Sequence, residues 1–463
     1  MILGGLLFMS QEVICLEPSD YSIKAIDKQN KKERSIYLLG SKSYTNRALI
    51  IASLASGETQ LVGTSLSDDS KILIKALGLL GIIIEEEGQD LLVKGGSFIR
   101  YKGMIDIGGA GTAMRFLLPL CCMLEGSEIS LCGDKRMHER PIGALVDALR
   151  SLGANIKYEG QEGYPPLHIK GGLLQQDILD ISQSKQQNIL ELDISLSSQY
   201  LSALLMIAPY VEGGLSISTK GEQVSKSYIE MTLEVMRHFG VVVRQNNNHY
   251  DVRSGQIYKN GRYLIEGDLS GASYFWGIAA ITGQRVRIYN VHSQSRQGDL
   301  AFLGILEKMG CCIRWGLREE VSYVEVWREG ELKGIDIDMR SMPDTAQTLA
   351  VIATIAKGQT HIRGLSTLRY KETDRLNALQ KELRAIQIES DIDDDSILIV
   401  GGKPKSAFIR TYGDHRMAMS FAMLASIIPH LQIENPSVVS KSYPYFWEEI
   451  SKLHLIEIRK GLN

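Results

Sequence analysis

Hydrophobic and polar positions along the chain repeat one arrangement six times: a polar cluster, an almost wholly apolar stretch, and then, as a rule, a Gly turn into an alternating segment. The copies begin SKSYTNRALIIASLASGETQL at Ser41, GTAMRFLLPLCCMLEGSEISL at Gly111 and SSQYLSALLMIAPYVEGGLSI at Ser197. They continue with GASYFWGIAAITGQRVRIYNV at Gly271, DTAQTLAVIATIAKGQTHIRGL at Asp344 and DHRMAMSFAMLASIIPHLQI at Asp414. Each apolar stretch is longer than a typical strand and hydrophobic on every face, which predicts a helix buried inside its domain. More polar helices are predicted over Asp69–Leu80, Ile142–Leu152, Ser227–Phe239, Gly298–Met309 and Thr373–Ile386, and these belong outside. The turns fall at Gly57, Gly126, Gly213, Gly283 and Gly358, about 70 to 90 residues apart, and Pro429 ends the sixth copy. Three copies per domain let the buried helices meet at a centre with sheets around them. The pattern therefore predicts an α/β chain of two pseudo-threefold domains.

The starts of these helices carry the candidate chemistry. A helix N-terminus presents unpaired N–H groups and a partial positive charge, so it attracts anions. Here the starts carry Lys42, Ser43 and Arg47, then Arg115, then Ser197, Ser198 and Gln199, then Asp344, then His415 and Arg416. If the helices run roughly parallel, these groups converge in an interdomain cleft on a small ligand with several negative charges. Simple N-capping would account for Ser43 or Asp344 one at a time. It does not account for Lys42, Arg47, Arg115 and Arg416, because the macrodipole disfavours cations at that end.

Composition narrows the class. The 463 residues exceed one ordinary core and predict two domains of roughly 200 residues. With 44% hydrophobic and 23% charged residues the chain has the profile of a soluble α/β protein. Its 51 Lys and Arg against 54 Asp and Glu make no basic field for nucleic acid, so any anion site is local. Cys15, Cys121, Cys122, Cys132, Cys311 and Cys312 show no C-x-x-C spacing, which argues against a disulfide framework or a zinc site. The apolar opening Met1–Phe8 lacks the basic flank and cleavage site of a signal peptide, and Met9 is a second candidate start. No apolar run approaches the roughly 20 residues of a membrane span, so a cytoplasmic protein without a membrane partner is expected. Lys42-Ser43 lacks P-loop spacing, GGAGTAMR lacks the dinucleotide glycine spacing, and His138, His238 and His415 have no metal-ligand spacing. No cofactor and no metal are expected.

Several motifs stand in a fixed order: GSKSYTNRAL from Gly40, AGTAMRF from Ala110, RMHERPIG from Arg136, YPPL from Tyr164 and SLSSQYL from Ser195. VSKSYIEMTL from Val224, MPDTAQT from Met342, RYKETDRL from Arg369, DHRMAM from Asp414 and KSYPYFW from Lys441 complete the series. Singly, RYKETDRL reads as a charged helix start in which Glu372 and Asp374 pair with neighbouring bases, and RMHERP as a solvated basic loop. As an ordered set they make the chain resemble the 5-enolpyruvylshikimate 3-phosphate synthase family from about Glu12 to the C-terminus. The resemblance implies an inside-out α/β barrel architecture, each domain built of three βαβαββ units, with the active site in the interdomain cleft. One domain would span 41–264 on the shikimate-phosphate side, and the other would combine 1–40 with 265–463.

The reaction so implied moves the carboxyvinyl group of phosphoenolpyruvate onto the 5-hydroxyl of shikimate 3-phosphate, in a monomer without cofactor. By the same resemblance shikimate 3-phosphate meets Lys42, Ser43, Arg47, Ser197, Ser198, Gln199, Ser225, Asp344, Thr367 and Lys371. Phosphoenolpyruvate meets Lys42, Gly111, Arg140, Gln199, Arg375, Arg416 and Lys441. The Arg fork suits phosphate and carboxylate oxygens, and Lys follows a moving negative charge. Addition and elimination need a group that gives and takes a proton, for which the resemblance offers Asp344 or Glu372, with Lys42 at the 5-hydroxyl or the bridging oxygen. Inhibition by glyphosate in competition with phosphoenolpyruvate is implied too. Three positions depart from the commonest pattern: Gly109 where many relatives have Asn, Phe116 where many have Pro, and Thr367 in place of Asn. A UDP-N-acetylglucosamine enolpyruvyl transferase would instead have Lys-Asn at the first helix and a reactive loop Cys, and this chain has Lys42-Ser43 and no suitable Cys. A catalytically dead relative is disfavoured by the presence of Lys42, Asp344, Glu372, Arg375, Arg416 and Lys441.

Overall fold

The six apolar stretches are helices, and nearly every residue in them is buried. In a computed structural model that describes residues 13–19, 34–173, 187–221 and 225–460, they are α1 (Lys42–Leu54), α2 (Gly111–Met123), α3 (Gln199–Ile207), α4 (Leu269–Thr282), α5 (Ala346–Ala353) and α6 (His415–Ala422). The expectations for Met1–Phe8 and Met9, and Val224 of the VSKSYIEMTL motif, fall outside the described residues. Helix α4 shows how such a segment is specified. Asp268 caps its start by accepting from the Gly271 N–H at 2.9 Å, and Gly283, left-handed at φ 75°, ends it by donating to the Ala279 carbonyl at 2.8 Å. Between these ends only Ser270 and Thr282 are not buried. The large apolar side chains contribute about 1.5–3 kcal/mol each on removal from water.

Close packing fixes where such helices touch. At Gly277 a Cβ would lie 2.3 Å from Met423 Sδ and 3.4 Å from Ile352 Cδ1, so α4 meets the ends of α5 and α6 at a point that admits no side chain. Gly277→Ala would force that contact apart. The turns after the buried helices need φ > 0, and Gly57, Gly126, Gly213, Gly283 and Gly358 supply it. In the sixth copy His430 takes the left-handed conformation instead, with its N–H held by Glu17 Oε2 at 3.1 Å.

The more polar stretches are helices over Asp68–Leu79, Gly143–Ser151, Lys226–His238, Phe302–Lys308 and Arg375–Ala385, each burying one face only. The strands form six four-stranded sheets among the described residues. In one, Lys102–Asp106 runs parallel to Glu128–Cys132, which pairs antiparallel with Leu167–Lys170, itself antiparallel to Asn155–Tyr158. With the helices at Gly111 and Gly143 between them, the order is βαβαββ.

The chain divides into two compact units, one over Gly40–Ile265 and one made of the segments up to Leu39 and from Glu266 on. Each closes with a strand distant in sequence. In the Gly40–Ile265 unit, Arg262–Leu264 returns to run parallel to Gly57–Val62. In the other, Ser35–Tyr37 lies parallel to Val286–Tyr289, and Val13–Pro18 lies antiparallel between Leu431–Glu434 and Ile456–Lys460. No helix among the described residues is long and apolar enough to cross a membrane.

Candidate active site

In the Gly40–Ile265 unit the candidate residues gather at the starts of α1, α2 and α3. Lys42 opens α1 and donates to Asp69 Oδ2 at 2.9 Å; Asp69 lies in the first turn of the next helix and is buried. Ser43 is the second residue of α1 and Ser41, the capping position, makes no side-chain cap bond, so capping is not how this polar cluster is used. Arg47, one turn on, is 2% exposed. Its guanidinium donates to Thr232 Oγ1 at 2.8 Å, the Ser43 carbonyl at 2.9 Å and the Tyr228 carbonyl at 3.1 Å, and faces the rings of Phe116 and Tyr228 at 5.3 and 5.7 Å. Burial lowers its pKa to about 10, with Tyr228, Tyr44 and Tyr263 pulling the other way.

Helix α2 begins at Gly111, where a second residue occupies the place of a side chain. A Cβ on Gly111 would lie 2.6 Å from Arg140 Nη2 and 2.7 Å from Nη1. Arg140 is 8% exposed, and its Nε is buried without a hydrogen-bond partner among the described residues. The turn that carries it is clamped at the Pro141 carbonyl, which accepts from Arg115 Nη2 at 3.0 Å and from the Tyr200 hydroxyl at 2.6 Å. Arg115 also donates to the Gly111 carbonyl at 3.2 Å, so this cation at a helix start is a strut. At α3, Ser197 Oγ accepts from the Gln199 N–H at 3.2 Å, Ser198 is buried, and Gln199 Nε2 donates to Thr112 Oγ1 at 3.2 Å, joining α3 to α2. Ser225 is buried and left-handed at φ 59°, immediately before the helix that carries Tyr228.

The other unit gathers a different set, around Arg375. This residue is 1% exposed and opens the helix that Asp374 caps. Its Nε donates to Asp414 Oδ2 at 2.6 Å, Nη2 to Glu372 Oε2 at 2.7 Å, and Nη1 to Asp344 Oδ1 at 3.4 Å. Burial alone would lower its pKa, but Asp414, Glu372 and Asp344 outweigh burial and hold the guanidinium above its usual range. Asp344 lies in the single 3-10 turn Pro343–Thr345 before α5 and also accepts from Arg416 Nη2 at 3.0 Å. Arg416 reaches the Tyr274 hydroxyl at 3.3 Å with its other nitrogen, and its N–H is capped by Asp414 at 2.8 Å. Lys441 Nζ stands 3.5 Å from Glu372 Oε1. Thr367 is buried in the 3-10 turn Ser366–Tyr370, and Lys371 follows it directly before Glu372. Glu372 does pair with neighbouring bases, as an ordinary helix start would, but the base is a buried Arg shared with two more carboxylates. Asp374, by contrast, is a cap and a partner of Arg369 at 3.1 Å.

The sequence reading missed Asp69, Thr112, Tyr274 and Asp414 as site residues. Asp414 had a signal, since it opens the sixth copy beside Arg416; Asp69 reads only as an acid in the first turn of an outer helix. Chemically, one cluster offers cations with few countercharges, and the other holds three carboxylates in reach of three cations.

Known proteins resemble this chain in sequence and fold. A family model described as EPSP synthase (3-phosphoshikimate 1-carboxyvinyltransferase) matches residues 26–450. A 3-phosphoshikimate 1-carboxyvinyltransferase of Salmonella heidelberg (strain SL476) is 43% identical over 430 residues, covering 90% of this chain and 96% of the relative. One of Serratia proteamaculans (strain 568) is 43% identical over 427 residues, covering 90% and 96%. An EPSP synthase structure from Acinetobacter baumannii shares the fold at a TM-score of 0.75 with 24% identity, covering 96% of this chain and 99% of that one. With a family model over most of its length and relatives of this identity, the chain belongs to the EPSP synthase family.

Proposed function

We propose that the chain transfers the carboxyvinyl group of phosphoenolpyruvate to the 5-hydroxyl of shikimate 3-phosphate, giving 5-enolpyruvylshikimate 3-phosphate and inorganic phosphate. The observation that carries the reading is the Arg375 cluster, where Asp344 and Glu372 each accept from one guanidinium. In the addition step the 5-hydroxyl oxygen bonds to the carbon bearing the phosphate, its proton leaves, and a proton is added to the methylene carbon. In the elimination step the new methyl group gives up a proton and the C–O bond to phosphate breaks. Two carboxylates beside a fixed cation suit both steps, since each proton taken up must later be returned. Arg416 and Lys441, already within 3.0 and 3.5 Å of those carboxylates, are placed to receive the anionic groups of phosphoenolpyruvate.

The Gly40–Ile265 unit supplies the rest in this reading. Lys42, Ser43, Arg47, Ser197, Ser198, Gln199 and Ser225 serve shikimate 3-phosphate, joined by Asp344, Thr367 and Lys371. Arg140, beside the bare Gly111, serves phosphoenolpyruvate with Lys42, Gln199, Arg375, Arg416 and Lys441. Buried Arg47 fits the role, because three hydrogen-bond acceptors and two aromatic faces hold a cation that no carboxylate among the described residues answers. We read the protein as a monomer of the cytoplasm, a reducing compartment in which its six free cysteines persist. Release of phosphate from phosphoenolpyruvate tests the function. It should require shikimate 3-phosphate; release with a nucleotide sugar instead, or with neither acceptor, would overturn the reading.

A further inference from the structure

Helix α4 begins beside a carboxyl group that the transfer reaction, as set out, does not use. Asp299, in the short 3-10 helix Gly298–Ala301, is 5% exposed and accepts a hydrogen bond from Ser270 Oγ in the first turn of α4. Its loop is clipped to that turn, since Gln297 Oε1 accepts from the Leu269 N–H at 3.1 Å and Gln297 Nε2 donates to the Gly267 carbonyl at 2.7 Å. One turn further along α4, the Tyr274 hydroxyl accepts from Arg416, whose other nitrogen holds Asp344. Ser270 and Tyr274 are four apart and share one face of the helix. Asp299 and the Arg416–Asp344 pair are thus tied to the same side of α4.

We propose that Asp299 is a positioning residue for carboxyvinyl transfer, whose charge decides how freely Arg416 receives an anionic group of phosphoenolpyruvate; this rests on the function proposed above. The groups that act on its charge are Asp344 from the turn before α5, Arg416 from α6, and Asp268 and Ser270 at the start of α4. Burial raises its proton affinity most, and Asp344 and Asp268 add to this, while the Ser270 hydrogen bond and Arg416 oppose it; the carboxyl titrates at about 7 in place of 3.8. Below that pH Asp299 is neutral, and the Arg416 guanidinium answers Asp344. Above it, a second negative charge draws on Arg416 and repels the incoming substrate.

Asp299→Asn keeps an oxygen for Ser270 and cannot ionise. The ratio of kcat/KM for phosphoenolpyruvate, variant over wild type, should stay near unity in acid and rise about 10-fold on the alkaline side of pH 7, on the scale of one charge at close range in a partly screened site. The change should lie in KM and leave kcat alone, and taking the ratio cancels the ionisation of the substrate itself. Ser270→Ala removes a donor that favours the charged form, so the alkaline fall of the Ser270→Ala enzyme should move to higher pH. Thermal melting gives a readout free of activity. The folded-state pKa lies above the unfolded value, so the stabilisation is fully present below the unfolded pKa and is lost as pH rises towards 7. The melting temperature of Asp299→Asn relative to wild type should therefore climb through that window and then level off. A ratio independent of pH, an equal loss in kcat at every pH, or a flat melting difference would overturn the proposal. A wild type that transfers nothing would overturn the function and this role with it; a climbing melting difference beside that result would place the failure in the function and not in the buried titration.

Discussion

The two clusters hold similar numbers of cations and treat them in opposite ways. Around Arg375, the cations Arg375, Arg416 and Lys441 face the carboxylates Asp344, Glu372 and Asp414, and charge is matched. In the Gly40–Ile265 unit the candidate-site cation Lys42 has a carboxylate, Asp69; Arg47 is held by a hydroxyl, two carbonyls and two rings, and the buried Nε of Arg140 has no hydrogen-bond partner among the described residues. A matched cluster suits proton transfer, because it keeps carboxylates beside the cations that would hold the reacting anion. An unmatched one suits a dianion, because the missing countercharge is the ligand's. The difference separates chemistry from binding more clearly than the count of charged residues does.

Removing one buried cation from each cluster should break the comparison open. Arg375→Met leaves three carboxylates around an apolar side chain, Asp414 fully buried among them, and should lose about 3–5 kcal/mol in denaturant unfolding. Arg47→Met removes a charge that burial already disfavours, so ligand-free stability should hold or rise, while KM for shikimate 3-phosphate climbs with the loss of charged hydrogen bonds, about 1.5–3 kcal/mol. Equal destabilisation by the two changes would refute the contrast. Next in size, Asp344→Asn and Glu372→Gln should each lower turnover by about 10²-fold or more with stability little changed. A variant with near-normal turnover would remove that residue from proton transfer.

How far the sequence could be read differs along the same line. The buried helices were legible because burial on every face leaves an apolar run that no surface helix has. The closing strands were not, since Ser35–Tyr37 and Val13–Pro18 find partners far along the chain and three- to six-residue segments carry no register of their own. At the site, cations placed against the macrodipole flagged Lys42, Arg47 and Arg416, but the same signal flagged Arg115, which spends its donors on the Gly111 and Pro141 carbonyls. A cation that binds ligand and one that braces a turn look alike until their acceptors are known. Phe116, where many relatives have Pro, is core with its ring against Arg47, so this departure bears on the unmatched cation.

The smallest expected effect concerns Gly111→Ala and glyphosate. By the family resemblance the added methyl would press on an inhibitor slightly longer than the substrate, raising its inhibition constant through overpacking of about 1–3 kcal/mol. The structure puts another group in that space first: the methyl would meet Arg140 Nη2 at 2.6 Å and Cζ at 2.8 Å. Something must move, and the group it meets is the Arg140 side chain, whose buried Nε has no hydrogen-bond partner among the described residues. The strain should therefore appear less in folding than in how Arg140 meets an anion. KM for phosphoenolpyruvate should rise with the glyphosate inhibition constant, and resistance is the factor by which the second outruns the first. Both constants measured on wild type and Gly111→Ala decide between the two contacts. A raised inhibition constant with KM unchanged would show the methyl touching the inhibitor alone and Arg140 yielding without consequence. A rise of both by the same factor would place the whole effect on Arg140, and neither changing would mean that Gly111 does not face the phosphoenolpyruvate site at all.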